Sequence, residues 1–170
     1  MLCARKLVVK LFIGAVALTL AFSGLALTDD NELRKELEEI YAKREKAIRD
    51  KNFAYLKFHL ADDYTEKGQD GTIQNRQQAD EEADRLYPMF EEVHEYSLKI
   101  DSIKAGENNE IIVETSDNGE FSFSGPDGRL HKLKGKGRQR DSWIRTQQGL
   151  KIKFHETLES VVEVDGKLIN

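Results

Sequence analysis

The chain has 170 residues, a formal net charge of −5 and a single cysteine, Cys3; 39% of its residues are hydrophobic and 34% are charged. That is room for one domain with a sizeable core. One cysteine excludes an internal disulfide framework and a multi-thiolate metal site, and an acidic balance argues against nucleic acid as a partner.

The first ten residues, MLCARKLVVK, carry Arg5, Lys6 and Lys10, and an apolar run from Leu11 to Leu27 ends in SGLA before the polar LTDD. Charged start, apolar middle and small-residue end are the order of a secretory signal peptide. Gly24 and Ala26 take the −3 and −1 positions of the expected cut. Residues 1–26 are therefore expected to be removed and residues 27–170 to form the domain. The alternative is an uncleaved membrane anchor, for which the run is slightly short of the roughly 20 apolar residues needed. The expected location is secreted or periplasmic, without membrane attachment once the segment is cut. Cys3 leaves with that segment, so no thiol nucleophile is expected in the domain.

Next comes a helix from Asp29, Asp30 or Asn31 to about Asp50. Leu33, Leu37, Ile40, Tyr41, Ala47 and Ile48 recur at helical spacing, and acidic residues precede basic ones as the helix dipole favours. Phe53, Leu56, Phe58 and Leu60 suit a short second helix ending near Asp62. TEKGQDGTIQ reads as a turn or small hairpin, and NRQQADEEADRLY as a third helix that Pro88 stops.

After Pro88 the period changes from helical to alternating. Strands are expected over Tyr96–Ile100, over Ile111–Thr115 with a continuation at Glu120–Ser124 past a break at DNG, over Leu130–Arg145, and from Leu150 to about Ser160. GENNE, SGPDG, TQQG and Asp165-Gly166 supply the turns. Helices first and strands later predict an α+β fold with an antiparallel sheet.

Charge is uneven along the chain. Asp29–Asp127 holds 26 acidic against 13 basic residues, a net of −13, and Arg129–Lys153 holds 9 basic residues against Asp141 alone, a net of +8. Within that basic segment Lys132, Lys134, Lys136, Arg138 and Arg140 fall on every second position. On a strand this is one face, and Leu133, Gly135, Gly137, Gln139, Asp141 and Trp143 form the other. The two glycines leave room for a close neighbour or mark a bend. No helix follows them, so they are not a phosphate-binding loop. The cations are expected to lie near acidic residues of adjacent strands, such as Glu110 and Glu114.

Two segments then carry a resemblance. YLKFHLADDYTEKGQDG, from Tyr55 to Gly71, resembles the helix-then-hairpin start of nuclear transport factor 2-like domains, also called SnoaL-like or ketosteroid-isomerase-like. RQRDSWIRTQQGLKIKFHE, with Arg138 five residues before Trp143, resembles their last strand pair, and VEVDGKLI is similar to the tail of secreted members. Leu150 departs from the tryptophan that many relatives have there. The resemblance implies a cone: a strongly curved antiparallel sheet wrapped around the N-terminal helices, with a pocket inside. It also implies a homodimer formed through the sheet. Because the superfamily hosts both enzymes and members without known activity, fold does not give function.

Within such a cone, period-two alternation sends Leu150, Ile152, Phe154, Glu156 and Leu158 inward, and Lys151, Lys153, His155 and Thr157 outward. Asp141 and Glu156 are then the candidate catalytic carboxylates, since burial raises a carboxyl's pKa toward that of a general acid or base. The competing expectation is that both pair with Arg138, Arg145 or a backbone amide at the rim. Tyr41, Tyr64, Gln139, Trp143 and Phe154 are the candidate pocket residues. Tyr55 is a further phenol donor, Asp63 is placed at the pocket mouth, and Trp143 and Phe154 serve mainly as core. His59, His94, His131 and His155 show no metal-binding spacing, so no metal or cofactor is expected. The expected function is a secreted pocket domain that binds a small apolar molecule or a protein partner without catalysis. The alternative is a small-molecule isomerase, lyase or hydrolase with a pocket carboxylate as general acid/base.

Overall fold

The structure is a computed structural model that describes residues 30–169. The expected signal segment lies outside the described residues. Helix α1 (Asp30–Arg49) and the short α2 (Phe53–Phe58) come first. Strands β1 (Leu60–Lys67) and β2 (Ile73–Asn75) form a hairpin, and α3 (Arg76–Leu86) follows it. Four long strands come next, β3 (Phe90–Ala105), β4 (Ile111–Ser124), β5 (Leu130–Thr146) and β6 (Gly149–Val164), and β7 (Lys167–Ile169) ends the chain.

The strands make one seven-stranded sheet in the order β2-β1-β6-β5-β4-β3, with β7 on β6. All pairings are antiparallel except β1 with β6, which is parallel. The fold is α+β, with the curved sheet closing over the helices. Leu33, Leu37 and Tyr41 of α1 are buried in one cluster with Tyr64, Ile111, Val113, Trp143, Leu150 and Ile152. These α1 positions are three or four residues apart, so one stripe of the helix meets the inner face of the sheet. Asn75 caps α3: its side chain accepts from the Gln78 amide at 3.0 Å, and the Gln78 side chain accepts from the Asn75 amide at 3.0 Å.

Strands β3 and β6 run longer than the expected Tyr96–Ile100 and Leu150–Ser160, and two further boundaries differ for a visible reason. Leu60–Asp62 belongs to β1, not to the second helix, because it pairs with the distant β6. β4 runs unbroken through Asp117, Asn118 and Gly119. Gly119 lies between Tyr96 and Gly135 on the neighbouring strands, and an added Cβ would stand 2.5 Å from the Phe121 ring and 3.0 Å from Tyr96. A glycine here lets two aromatic rings cover the strand, and the strand passes straight through.

The basic stripe of β5 occupies the outer face, as its alternation predicts. Glu120 pairs with Lys134 at 2.8 Å and Lys132 at 3.7 Å, and Arg140 pairs with Glu114 at 3.1 Å and Glu156 at 3.2 Å. Such solvated pairs contribute about 0–1 kcal/mol each. They are ordinary cross-strand surface chemistry.

Candidate functional site

The inner face of β5 presents Gln139, Asp141 and Trp143 in strict alternation. Trp143 is fully buried and Asp141 is 3% exposed. Tyr41, from the buried stripe of α1, reaches both. The Trp143 indole Nε1–H donates to the Tyr41 hydroxyl at 3.0 Å, and that hydroxyl donates to Asp141 Oδ2 at 2.5 Å. The two rings meet edge-on, with centroids 5.7 Å apart. Sequence alternation and helical spacing thus bring Tyr41, Asp141 and Trp143 together as expected.

β6 does not keep the expected phase. Ser142 lies opposite Phe154 but Trp143 lies opposite Ile152, so Lys153 is an extra residue on β6. This bulge inverts the side chains from Phe154 to Thr157, and a second bulge at Leu158 restores the expected phase beyond it. Two candidates are corrected by it. Glu156 lies opposite Arg140, on the outer face, where it accepts from Lys67 at 3.0 Å and Arg140 at 3.2 Å. Phe154 shares that same face with Ser142. His155, expected outside, lies opposite Asp141 on the inner face, and its Nδ1–H donates to Asp141 Oδ1 at 2.7 Å. Neither Arg138 nor Arg145 is the partner of Asp141; Arg145 pairs with Glu36 at 2.8 Å.

The other expected residues fall around this center. The Tyr64 hydroxyl is buried with the core but donates to Glu66 at 2.8 Å rather than to Asp141. The Gln139 side chain donates to Asp117 and accepts from Thr115 at 3.3 Å. Burial raises the Asp117 pKa, against the Gln139 hydrogen bond. Tyr55 packs on His59 with ring centroids 4.7 Å apart. Asp63 lies on an open groove of about 560 Å³ between β1 and α3, with Asp62, Asp80, Glu81 and Asp84. That groove contains neither Asp141 nor His155. Arg76 there is structural: it bonds Asp80 and the backbone carbonyls of Leu60, Ala61 and Lys57.

Electrostatics fix the state of the central pair. Burial acts to raise the Asp141 pKa, but the His155 hydrogen bond and charge, the Arg44 charge and the Tyr41 hydroxyl outweigh it, and the carboxyl is held below its ordinary value. Burial acts to lower the His155 pKa, and Asp141 outweighs it, so the imidazole is held above its ordinary value. Burial first, and then the Asp141 charge, push the Tyr41 phenol well up. Asp141 is therefore an anchored carboxylate, not a neutral acid. The group that could move a proton is His155, whose Nε2 has no hydrogen-bond partner among the described residues.

An apolar cavity of about 140 Å³ is lined by Ile48, Phe53, Leu56, Tyr87, Phe90, Val93, Tyr96 and Phe121, and none of Tyr41, Asp141, Trp143 and His155 belongs to its lining. Arg44 lies three residues after Tyr41 and four before Ile48, on the same side of α1. Its guanidinium carbon is 5.8 Å from the center of the Tyr41 ring. Sequence reasoning missed both His155 and Arg44. Nothing in the sequence marks the Lys153 bulge. Arg44 did carry a signal, since it interrupts the apolar stripe of the first helix at a core-facing position.

No protein-family model matches the chain, and no curated protein does. Solved structures do. A putative scytalone dehydratase from Novosphingobium aromaticivorans superposes over 79% of this chain and 90% of its own, at 14% identity and TM-score 0.61. An NTF2-like protein from Cytophaga hutchinsonii covers 73% of this chain and 95% of its own, at 13% identity and TM-score 0.57. A ketosteroid isomerase-like protein from Erwinia carotovora atroseptica covers 76% and 95%, at 9% identity and TM-score 0.57. At these identities the likeness is one of fold, and the fold of this chain is that of the nuclear transport factor 2-like superfamily.

Proposed function

We infer that this chain is a small-molecule-binding domain whose cone interior takes a compact, largely apolar ligand. The observation that carries this is the apolar cavity of about 140 Å³. A cavity of about 150 Å³ lined by apolar side chains holds one benzene molecule, so the ligand portion that enters is about one ring. Toluene is expected to raise the unfolding midpoint of the protein and to bind saturably in a ligand-observed NMR titration. Val93→Phe, which fills the cavity from β3, is expected to abolish both effects. Saturable binding that survives Val93→Phe would place the ligand elsewhere.

A second reading has a specific observation behind it. His155 is oriented through Nδ1 by a buried carboxylate that Tyr41 holds in turn, which is the arrangement of a positioned general base. Two structural neighbours bear enzyme-related names, a putative scytalone dehydratase and a ketosteroid isomerase-like protein. On this reading the chain catalyses proton transfer on its ligand, and His155→Gln lowers turnover about 100-fold or more while the toluene titration is unchanged.

The N-terminal pattern supports export of the chain, with the domain working in the periplasm or outside the cell. The mature protein recovered from that compartment is then expected to begin at Leu27, as read by intact mass. A mass that retains Cys3 would overturn export by cleavage.

A further inference from the structure

We propose that Arg44 makes the cone interior a site for a small organic anion: a ring-sized apolar molecule that carries one carboxylate. The proposal rests on the ligand-pocket reading above and adds the ligand's charge and the residue that selects it.

Arg44 is placed to do this. Tyr41, one turn before it on α1, reaches the Asp141–His155 pair, and Ile48, one turn after it, lines the apolar cavity. Its positive charge acts on residues of both the Asp141–His155 pair and the cavity lining. It lowers the pKa of Asp141 and His155, and it acts in the same direction on Tyr87 and Tyr96, which line the cavity. All five tyrosines of the chain feel it, Tyr41, Tyr55 and Tyr64 included. The guanidinium stands over the Tyr41 ring at 5.8 Å, with its Nε and Nη1 buried.

Its donors are not used by the protein. Nε and Nη1 are buried, and no side chain or backbone group accepts from either. Those two nitrogens carry three of the five N–H donors of an arginine, and an arginine cannot shed its charge. The structural arginines of this chain look different. Arg49, further along α1, gives Nε and Nη2 to the Tyr96 carbonyl at 2.8 and 2.6 Å and pairs with Glu45. Arg76 engages Asp80 and three backbone carbonyls. The interior carboxylates are committed elsewhere: Asp141 to Tyr41 and His155, Glu66 to Tyr64. Among the described residues, none forms an ion pair with Arg44.

A half-buried cation with two buried, unmet donor nitrogens, one turn along α1 from the cavity-lining Ile48, is complementary to an acceptor that brings negative charge, and a carboxylate matches guanidinium geometry. A neutral carbonyl would accept a hydrogen bond but leave the charge uncompensated. The cavity volume limits the apolar part to about one ring, which makes benzoate the simplest complete probe.

The test compares benzoate with its neutral isostere benzamide on the full mature chain, by calorimetric titration near pH 7. Wild type is expected to bind benzoate at least tenfold more tightly than benzamide, and Arg44→Met is expected to erase that preference, with Arg44→Lys in between. In the absence of any ligand, Arg44→Met is expected to raise the unfolding midpoint, because it removes a half-buried charge whose buried donors are unmet. A wild type that binds both probes equally, or an Arg44→Met protein that keeps the preference, overturns the proposal. So does an Arg44→Met protein that is less stable than wild type or fails to fold, since the arginine is then structural. Toluene separates the two levels: if it binds and benzoate gains nothing, only the role of Arg44 fails, and if toluene does not bind, the ligand-pocket reading fails with it.

Discussion

Replacing Asp141 with Asn is expected to lower the unfolding free energy by about 3 to 5 kcal/mol near pH 6, the range for removing one partner of a buried ion pair. Two donors depend on the native carboxylate, the Tyr41 hydroxyl and His155 Nδ1–H. An amide offers one acceptor oxygen, so one of the two donors must turn away or His155 must change tautomer. The imidazolium also loses its counter-charge.

The pH dependence gives this prediction a signature that packing loss alone would not have. The folded His155 pKa lies above the ordinary 6.5, so its contribution is fully present below pH 6.5 and is lost as pH rises through the folded value. The folded Asp141 pKa lies below the ordinary 3.8, so its contribution is present above pH 3.8 and is lost as pH falls through the folded value. Wild-type stability should therefore hold between those two ordinary values and decline on both sides. Urea unfolding at a series of pH values is expected to show that plateau in wild type and a flatter profile in Asp141→Asn. An unchanged alkaline limb in the variant would mean that His155 is not held by Asp141.

Why this pair escaped the sequence while Trp143 did not is a matter of local against distant information. On β5 the alternation from Leu133 to Trp143 is continuous, so the inward placement of Asp141 and Trp143 follows from the period alone. On β6 the same period fails at Lys153, because the bulge is set by how β6 must bend between β5 and the parallel strand β1. No residue type at Lys153 announces this. One extra residue exchanges the roles of Glu156 and His155, and with them the chemistry of the interior. β1 is a similar case: Leu60 to Asp62 read as the end of the second helix, and pairing of Leu60 with Ile152 of β6, some ninety positions away in sequence, makes them part of a strand. Helix α1 was legible in its stripe, and the interruption of that stripe by Arg44 was the one mark in the sequence of a cation turned toward the core.

Trp143→Ala is expected to cost about 3 to 5 kcal/mol, and Trp143→Phe about 1 to 2 kcal/mol in all, when both are followed by circular dichroism in urea. Trp143 is the only tryptophan of the chain, so its own fluorescence cannot report on either variant. Its ring is fully buried between Ile111 on β4 and Ile152 on β6, the residues opposite it on each side. Tyr41 meets it edge-on from α1, and His59 approaches to 6.2 Å. Alanine empties that space at the point where helix and sheet are clamped together, and the surrounding strands, tied by their ladders, cannot close over it. Phenylalanine keeps most of the volume, and its main loss is the indole N–H to the Tyr41 hydroxyl, a bond worth about 1 kcal/mol. The gap between the two variants thus measures packing, and the smaller loss measures the hydrogen bond that begins the Trp143–Tyr41–Asp141–His155 chain. If alanine were tolerated within about 1 kcal/mol, the clamp between α1 and the sheet would lie elsewhere. The cavity, which shares α1 as one wall, would then have no rigid seat.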